Sequence, residues 1–138
     1  MHLDERRIEH IKKWLEIALE DLRVAEFTFK MESSIPFRMI GFHSQQAAEK
    51  FIKALLLFYN VDFPYTHDLM KLIELIPGHS SIQNELIPIV KLTDYAVNRR
   101  YPDFYQKLTE SEAIESLELA KFCQKVIMER FVNEGFEL

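Results

Sequence analysis

The sequence predicts an all-α fold, an antiparallel four-helix up-and-down bundle with one short extra helix. Three observations lead there. Apolar residues recur in alternating steps of three and four over long stretches, the spacing of one helix face. Breakers such as Ser33-Ser34-Ile35-Pro36 and Pro77-Gly78 separate those stretches. No stretch alternates apolar and polar residues as a half-buried strand does, and no repeat of 20–50 residues is present. A chain of 138 residues, 48% hydrophobic, suits one domain over residues 1–138 that buries a real core.

The first helix is expected from about Asp4 to Met31, with Ile8, Ile11, Leu15, Ala18, Leu22, Ala25 and Phe29 as its buried stripe. Pro36 is placed to open the second, which runs to about Tyr59. Its apolar side carries Ile40, Ala47, Phe51, Ala54, Leu55 and Phe58, with extra bulk at Ile52, Leu56 and Leu57. Its polar side carries Gln45, Gln46, Glu49, Lys50 and Lys53, and the pairs Glu49–Lys53 and Gln46–Lys50 are four residues apart. A solvated helix face accounts for these pairs, although two glutamines just before Ala-Ala also suit contact with another helix or subunit. Asn60, Asp62 and Pro64 end this helix.

A short helix follows from Asp68 to Ile76, with Thr66 or Asp68 as its cap and Pro77-Gly78 as its stop. The next, about Ser81 to Arg99, presents Ile82, Leu86, Ile89, Thr93 and Ala96 on one face, and Pro88 should kink it or mark a break. The last runs from the capping box Thr109-Glu110-Ser111-Glu112 to about Asn133.

Several chemistries have no foothold. Gly41, Gly78 and Gly135 stand too far apart for a glycine-rich phosphate loop or a serine-hydrolase elbow. Histidines at 2, 10, 43, 67 and 79 lack metal-ligand spacing, so neither a metal nor a cofactor is expected. His67 reads as a helix-entry residue held by local hydrogen bonds. Cys123, among Ala120, Phe122, Val126 and Ile127, reads as a small core residue. The longest apolar run, Ala54 to Tyr59, is far below the roughly 18 residues of a membrane span. The charged opening Met-His-Leu-Asp-Glu-Arg-Arg lacks a signal-peptide core, and a lone cysteine suits a reducing compartment, so a cytoplasmic location is expected.

Net charge is −5, so attraction for phosphate has to be local. Two basic islands exist: three basic against one acidic residue over 33–61, and four against two over 91–107. The second holds Asn98-Arg99-Arg100-Tyr101-Pro102-Asp103-Phe104-Tyr105. Arginine offers a planar fork for phosphate and aromatic rings offer stacking faces for bases. An inter-helix connection whose rings pack down while its arginines snorkel has the same composition.

In order, Ala18-x-x-Asp21-Leu22-x-x-Ala25, His43-x-x-Gln46-Ala47-Ala48-Glu49-Lys50-x-x-Lys53-Ala54, Pro64-x-x-His67-Asp68-Leu69, Leu92-Thr93-x-Tyr95-x-x-x-Arg99-Arg100-Tyr101-Pro102 and Ala113-x-x-x-Leu117-x-x-Ala120 resemble the HEPN family (higher eukaryotes and prokaryotes nucleotide-binding) from about residue 10 to 130. The resemblance implies a helical bundle, a homodimer, and pairing with a minimal nucleotidyltransferase in a toxin–antitoxin system. It assigns nucleotide or phosphate binding to Arg99, Arg100, Tyr101 and Tyr105, with Asp94, Gln46, Lys50 and Lys53 as supporting groups. In ribonuclease members of the family, an arginine and a histidine four to six residues further on supply the catalytic groups. Here the arginine maps to Arg100, with Arg99 as the alternative register. Tyr105 stands at the histidine's place, and no histidine follows it. A phenol with an ordinary pKa near 10 is a poor general base beside an imidazole near 6.5.

The expected function is therefore a nucleotide- or RNA-binding module without robust catalysis. The alternatives are an active metal-independent ribonuclease toxin using Arg100 with Tyr105 or Asp94, and a purely structural helical adaptor. The homodimer is expected to bury residues of the second helix and of the 94–105 segment, since Phe51, Ile52, Leu55, Leu56, Phe58 and Tyr59 go more than halfway round that helix.

Overall fold

Asp4 caps the first helix by accepting a hydrogen bond from the Arg7 amide, and α1 runs over Glu5–Thr28. Its stripe is buried at Ile11, Leu15, Ala18, Leu22 and Ala25. The computed structural model describes residues 3–78, 80–97 and 107–137. Arg99, Arg100, Tyr101 and Tyr105 lie outside the described residues.

Ser34 takes a left-handed turn at φ 54, and Pro36 stands at the N-cap position of α2, Phe37–Phe58, without a side-chain hydrogen bond. Asn60, at φ 60, turns the chain out of it. Asp68 caps α3, Leu69–Glu74, by accepting from the amides of Met70 and Lys71, and Thr66 supports it by accepting from the Asp68 amide. Pro88 then breaks the expected fourth helix into α4 (Ser80–Leu86), a 3-10 helix over Ile87–Leu92 and α5 (Thr93–Val97), because proline supplies no N–H to an α-helical ladder. The Thr109–Glu112 capping box is formed in both directions and opens α6, Glu110–Asn133.

α2 is the centre of the bundle and packs against α1, α6, α5, α3 and the 3-10 helix. It runs antiparallel to α1, since Arg7 donates to the Phe58 carbonyl while Asp21 meets His43 and Lys50. It runs parallel to α6, where Cys123 lies against the Ala48 carbonyl and Phe131 against Phe58. That is the up-down-up-down order, with α4 to α5 as the third element.

The central position also corrects an expectation. Phe51, Ile52, Leu55, Leu56 and Phe58 are all buried within one chain, so neighbouring helices account for the apolar excess of α2 without a second copy. Cys123 is fully buried, as expected of a core residue, and burial pushes its thiol far up. Among the described residues no helix is long and apolar enough to cross a membrane.

Candidate functional site

Between residues 37 and 50 half of α2 is buried, and beyond the first residue, Phe37, what remains half-exposed is one stripe of Arg38, Met39, Phe42, His43, Gln46 and Lys50. A helix surrounded on most sides can present only such a stripe, so its polar chemistry concentrates there and on the buried edge beside it.

The first cluster ties α1 to α2. His43 Nδ1 lies 2.9 Å from Asp21 Oδ1, and Lys50 Nζ donates to Asp21 Oδ2. Burial would raise the Asp21 carboxyl, but the hydrogen bonds from His43 and Lys50 and their charges outweigh it and hold the group below its ordinary 3.8. A carboxyl lowered by folding stabilises the folded state fully above its ordinary value, and that share is lost as pH falls through the lowered one. Stability from this cluster should therefore fade only below about pH 4. Asp21→Asn should remove that part of the acid sensitivity, seen as a smaller drop in denaturation midpoint between pH 5 and pH 2. An unchanged drop would place the acid-sensitive groups elsewhere.

The second cluster lies deeper. Glu49 Oε2 accepts from Lys53 Nζ at 2.9 Å, while Glu49 Oε1 lies 2.8 Å from His67 Nδ1 and accepts from Gln45 Nε2 at 3.2 Å. Gln45 Nε2 also donates to the His67 carbonyl at 3.1 Å, and its Oε1 accepts from Gln46 Nε2 at 2.7 Å. Lys53 Nζ sits 5.6 Å from the ring centres of Trp14 and Phe63 and 5.9 Å from that of Tyr65, within cation–π range. Two expectations change here. Glu49 and Lys53 are 3% and 4% exposed, so the pair lies inside the fold and not on a solvated face. His67 is held by a side chain 18 residues away, not by local bonds. Gln45 is likewise not on a solvated face: it faces the 61–68 connection of the same chain, which is neither another helix nor another subunit.

A third feature lies at the start of α2. A Cβ added at Gly41 would fall 2.8 Å from Leu108 Cδ2 and 3.4 Å from the Tyr95 ring, so only glycine lets both side chains sit this close to the helix. Beside them a cavity of about 200 Å³ is lined by Arg38, Met39, Phe42 and Tyr95. Tyr95 is 5% exposed, and burial, countered by a hydrogen bond with Ser116, pushes its phenol up. The rise makes the phenol still less able to act as a base.

Of the expected site residues, Gln46, Lys50 and Lys53 lie on α2, and Asp94 lies in the first turn of α5. Lys50 and Lys53 serve separate carboxylates, Asp21 and Glu49, so they do not form one cationic patch. Arg99, Arg100, Tyr101 and Tyr105 are outside the described residues. Sequence reading passed over Asp21, His67 and Phe42 as site residues. A signal existed for the first two, because both stand in the quoted motifs, but their partners are distant in sequence. Among the described residues no group of three or more His, Cys, Asp or Glu side chains is placed to hold a metal ion.

Comparison with known proteins agrees with this architecture. A family model described as "HEPN domain" matches residues 11–130. The crystal structure of TT1696 from Thermus thermophilus superposes with a TM-score of 0.75 at 28% identity, covering 86% of this chain and 96% of that one. No curated protein matches.

Proposed function

The chain belongs to the HEPN family, a class of nucleotide- and RNA-related helical modules, and from that premise we propose that it binds a nucleotide or RNA through Arg99 and Arg100, without robust catalysis. Stacking on Tyr101 or Tyr105 assists the phosphate contact, and Asp94 and Gln46 support the site from α5 and α2, whereas Lys50 and Lys53 are taken up by Asp21 and Glu49. The observation that carries the reading is the convergence of Tyr95 and Leu108 on Gly41. These two residues flank the arginine-bearing segment in the chain, and both pack on α2 at Gly41, beside the cavity. A basic island at 91–107 in a net negative protein draws phosphate locally. The sequence supports binding over catalysis, since no histidine follows Arg100.

The reading extends to assembly. The module pairs with a minimal nucleotidyltransferase in a toxin–antitoxin arrangement and forms a homodimer. With α2 covered, the dimer surface moves to the outer face of α1. There Ile17, Val24 and Phe27 are each more than 40% exposed, at the seven- and three-residue spacing of a helix–helix seam.

Calorimetry with ATP, AMP and a short RNA tests the proposal. A charge-assisted hydrogen bond contributes about 1.5–3 kcal/mol, so Arg100→Ala should weaken binding roughly 10- to 150-fold at an almost unchanged melting temperature. Arg100→Lys should recover part of the loss, since it keeps the charge but not the fork. If the wild type binds none of the three, or Arg100→Ala binds equally well, the adaptor reading replaces this one. Cleavage of generic RNA that vanishes in Arg100→Ala would instead establish the ribonuclease. Sedimentation equilibrium of the same samples should give a dimer at tens of micromolar that Phe27→Glu dissociates; a wild-type monomer would remove the assembly claim.

A further inference from the structure

We propose that the ring of Tyr65 is a stacking platform for an unpaired base of a single-stranded nucleic acid. The inference rests on the nucleotide or RNA reading above and names the form of the ligand, a strand and not a free nucleotide. Neither the arginine segment nor the family resemblance assigns Tyr65 a role.

Exposure comes first. Tyr65 is 91% exposed, more than any other large apolar residue among those described. Within the 61–68 connection it differs from Val61 and Phe63, which pack against the core. A ring this open keeps its outer face free, whatever it touches on the inner side. A single exposed apolar residue is ordinary by itself. What sets this one apart is that the chain on both sides of it is anchored.

Before it, Pro64 fixes a backbone angle, and the Phe63 ring meets that of Trp14 edge-on with centroids 6.2 Å apart. After it, His67 is tied to α2 twice. Its Nδ1 lies 2.8 Å from Glu49 Oε1, and its carbonyl accepts from Gln45 Nε2 at 3.1 Å. The Tyr65 ring itself meets the His67 ring edge-on at 5.6 Å, and the Lys53 ammonium lies 5.9 Å from its centre. The ring is thus displayed to solvent from a fixed base. Little ordering is left to be done when a ligand settles on it, as for any preformed site.

The form of the ligand follows from the same geometry. A flat, one-sided surface suits stacking, which any base supports because every base has a π-face. A duplex keeps its bases stacked on each other, so only an unpaired base reaches the ring. Aromatic anchors of protein interfaces instead sit in desolvated pockets ringed by further contacts. Here the chain neighbours Asp62 and Pro64 are exposed, and the other rings of the group turn inward. The connection also ends where the arginine-bearing part of the chain starts. The Leu69 amide donates to Thr93 Oγ1 at 3.1 Å, and Thr93 opens α5, which leads in sequence to Arg99 and Arg100. Tyr65 and Arg99 stand four and six residues from that contact, on either side of it. A strand, with several bases and phosphates, engages both at once.

The test is calorimetry of a short RNA, single-stranded and annealed to its complement, on wild type, Tyr65→Ala, Tyr65→Phe and Arg100→Ala. Loss of one stacked base corresponds to about 5- to 150-fold in affinity. Tyr65→Ala should weaken the single strand by that factor and leave duplex binding unchanged. Tyr65→Phe should bind as the wild type does, since the ring stacks and the hydroxyl does not. The melting temperature of Tyr65→Ala should stay at the wild-type value, because a side chain this exposed has little burial to lose. The platform is overturned if Tyr65→Ala binds the single strand as tightly as wild type, or if single strand and duplex weaken equally. It is also overturned if Tyr65→Phe binds as weakly as Tyr65→Ala, which would make the hydroxyl the contact. A Tyr65→Ala variant that loses its dimer in sedimentation but keeps its RNA affinity would mark the ring as a protein contact and overturn the platform too. Loss of binding in Arg100→Ala with none in Tyr65→Ala sinks the platform and spares the nucleotide reading, as does a wild type that binds AMP but no RNA. A wild type that binds neither sinks both.

Discussion

Glu49→Ala should lower the melting temperature by about 9–20 °C, the largest loss expected from any single polar residue here. The physical reason is the position of its partners. Lys53 is 4% exposed and surrounded by Trp14, Phe63 and Tyr65, so without Glu49 its ammonium keeps three ring faces but no counter-charge. Removing one member of a buried pair costs roughly 3–5 kcal/mol because the other charge stays desolvated. Each kcal/mol moves the midpoint of a domain this size by about 3–4 °C. Gln45 and His67 lose an acceptor in the same step, so the 61–68 connection loosens from α2. A double variant, Glu49→Leu with Lys53→Met, should recover much of the loss, since two apolar side chains need no partner. Thermal melts of the three variants at neutral pH provide the check. If Glu49→Ala melts within about 2 °C of wild type, the pair behaves as solvated and the buried-network account is wrong.

Phe131→Ala should cost a similar amount, about 3–5 kcal/mol, for a different reason. The ring is fully buried, 5.4 Å from Phe58 and 5.3 Å from Phe136, and it joins the ends of α2 and α6. It also belongs to the device that ends α6. The Phe136 amide donates to the Phe131 carbonyl and the Gly135 amide to the Val132 carbonyl, with Gly135 at φ 78, which is a Schellman motif closed by a Phe131–Phe136 contact. Truncation therefore opens a cavity and removes the apolar clasp of the helix end. Amide exchange should quicken at 130–136 more than the global destabilisation requires, and Phe131→Leu should lie between alanine and wild type. Uniform quickening over the whole chain would show that the clasp adds nothing beyond core volume.

These two residues mark the two kinds of information in the chain. Phe131 could be assigned to the core from its place on an amphipathic helix, because periodicity alone tells which face turns inward. Glu49 could not. An i,i+4 Glu–Lys pair has the same spacing on a solvated face as on a buried one, and what separates the two is whether a neighbouring segment covers it. The covering segment here, Phe63 to His67, lies well beyond the end of α2 and carries no periodic signal.

The same division holds across the molecule. Helix ends were legible in the order of residues, since Asp4, Asp68, Pro88 and the Thr109–Glu112 box act through groups within a few positions of each other. So was the family, through motifs read in order along the chain. Enclosure of α2 by its neighbours was not legible, and it turned an apparent dimer face into a core. Nor were the pairings of Asp21 with His43 and Glu49 with His67, or the meeting of Tyr95 and Leu108 at Gly41 beside a cavity. Local backbone chemistry is written in neighbouring residues, whereas burial and pairing across the fold depend on which elements meet, and that is set by the packing of the chain as a whole.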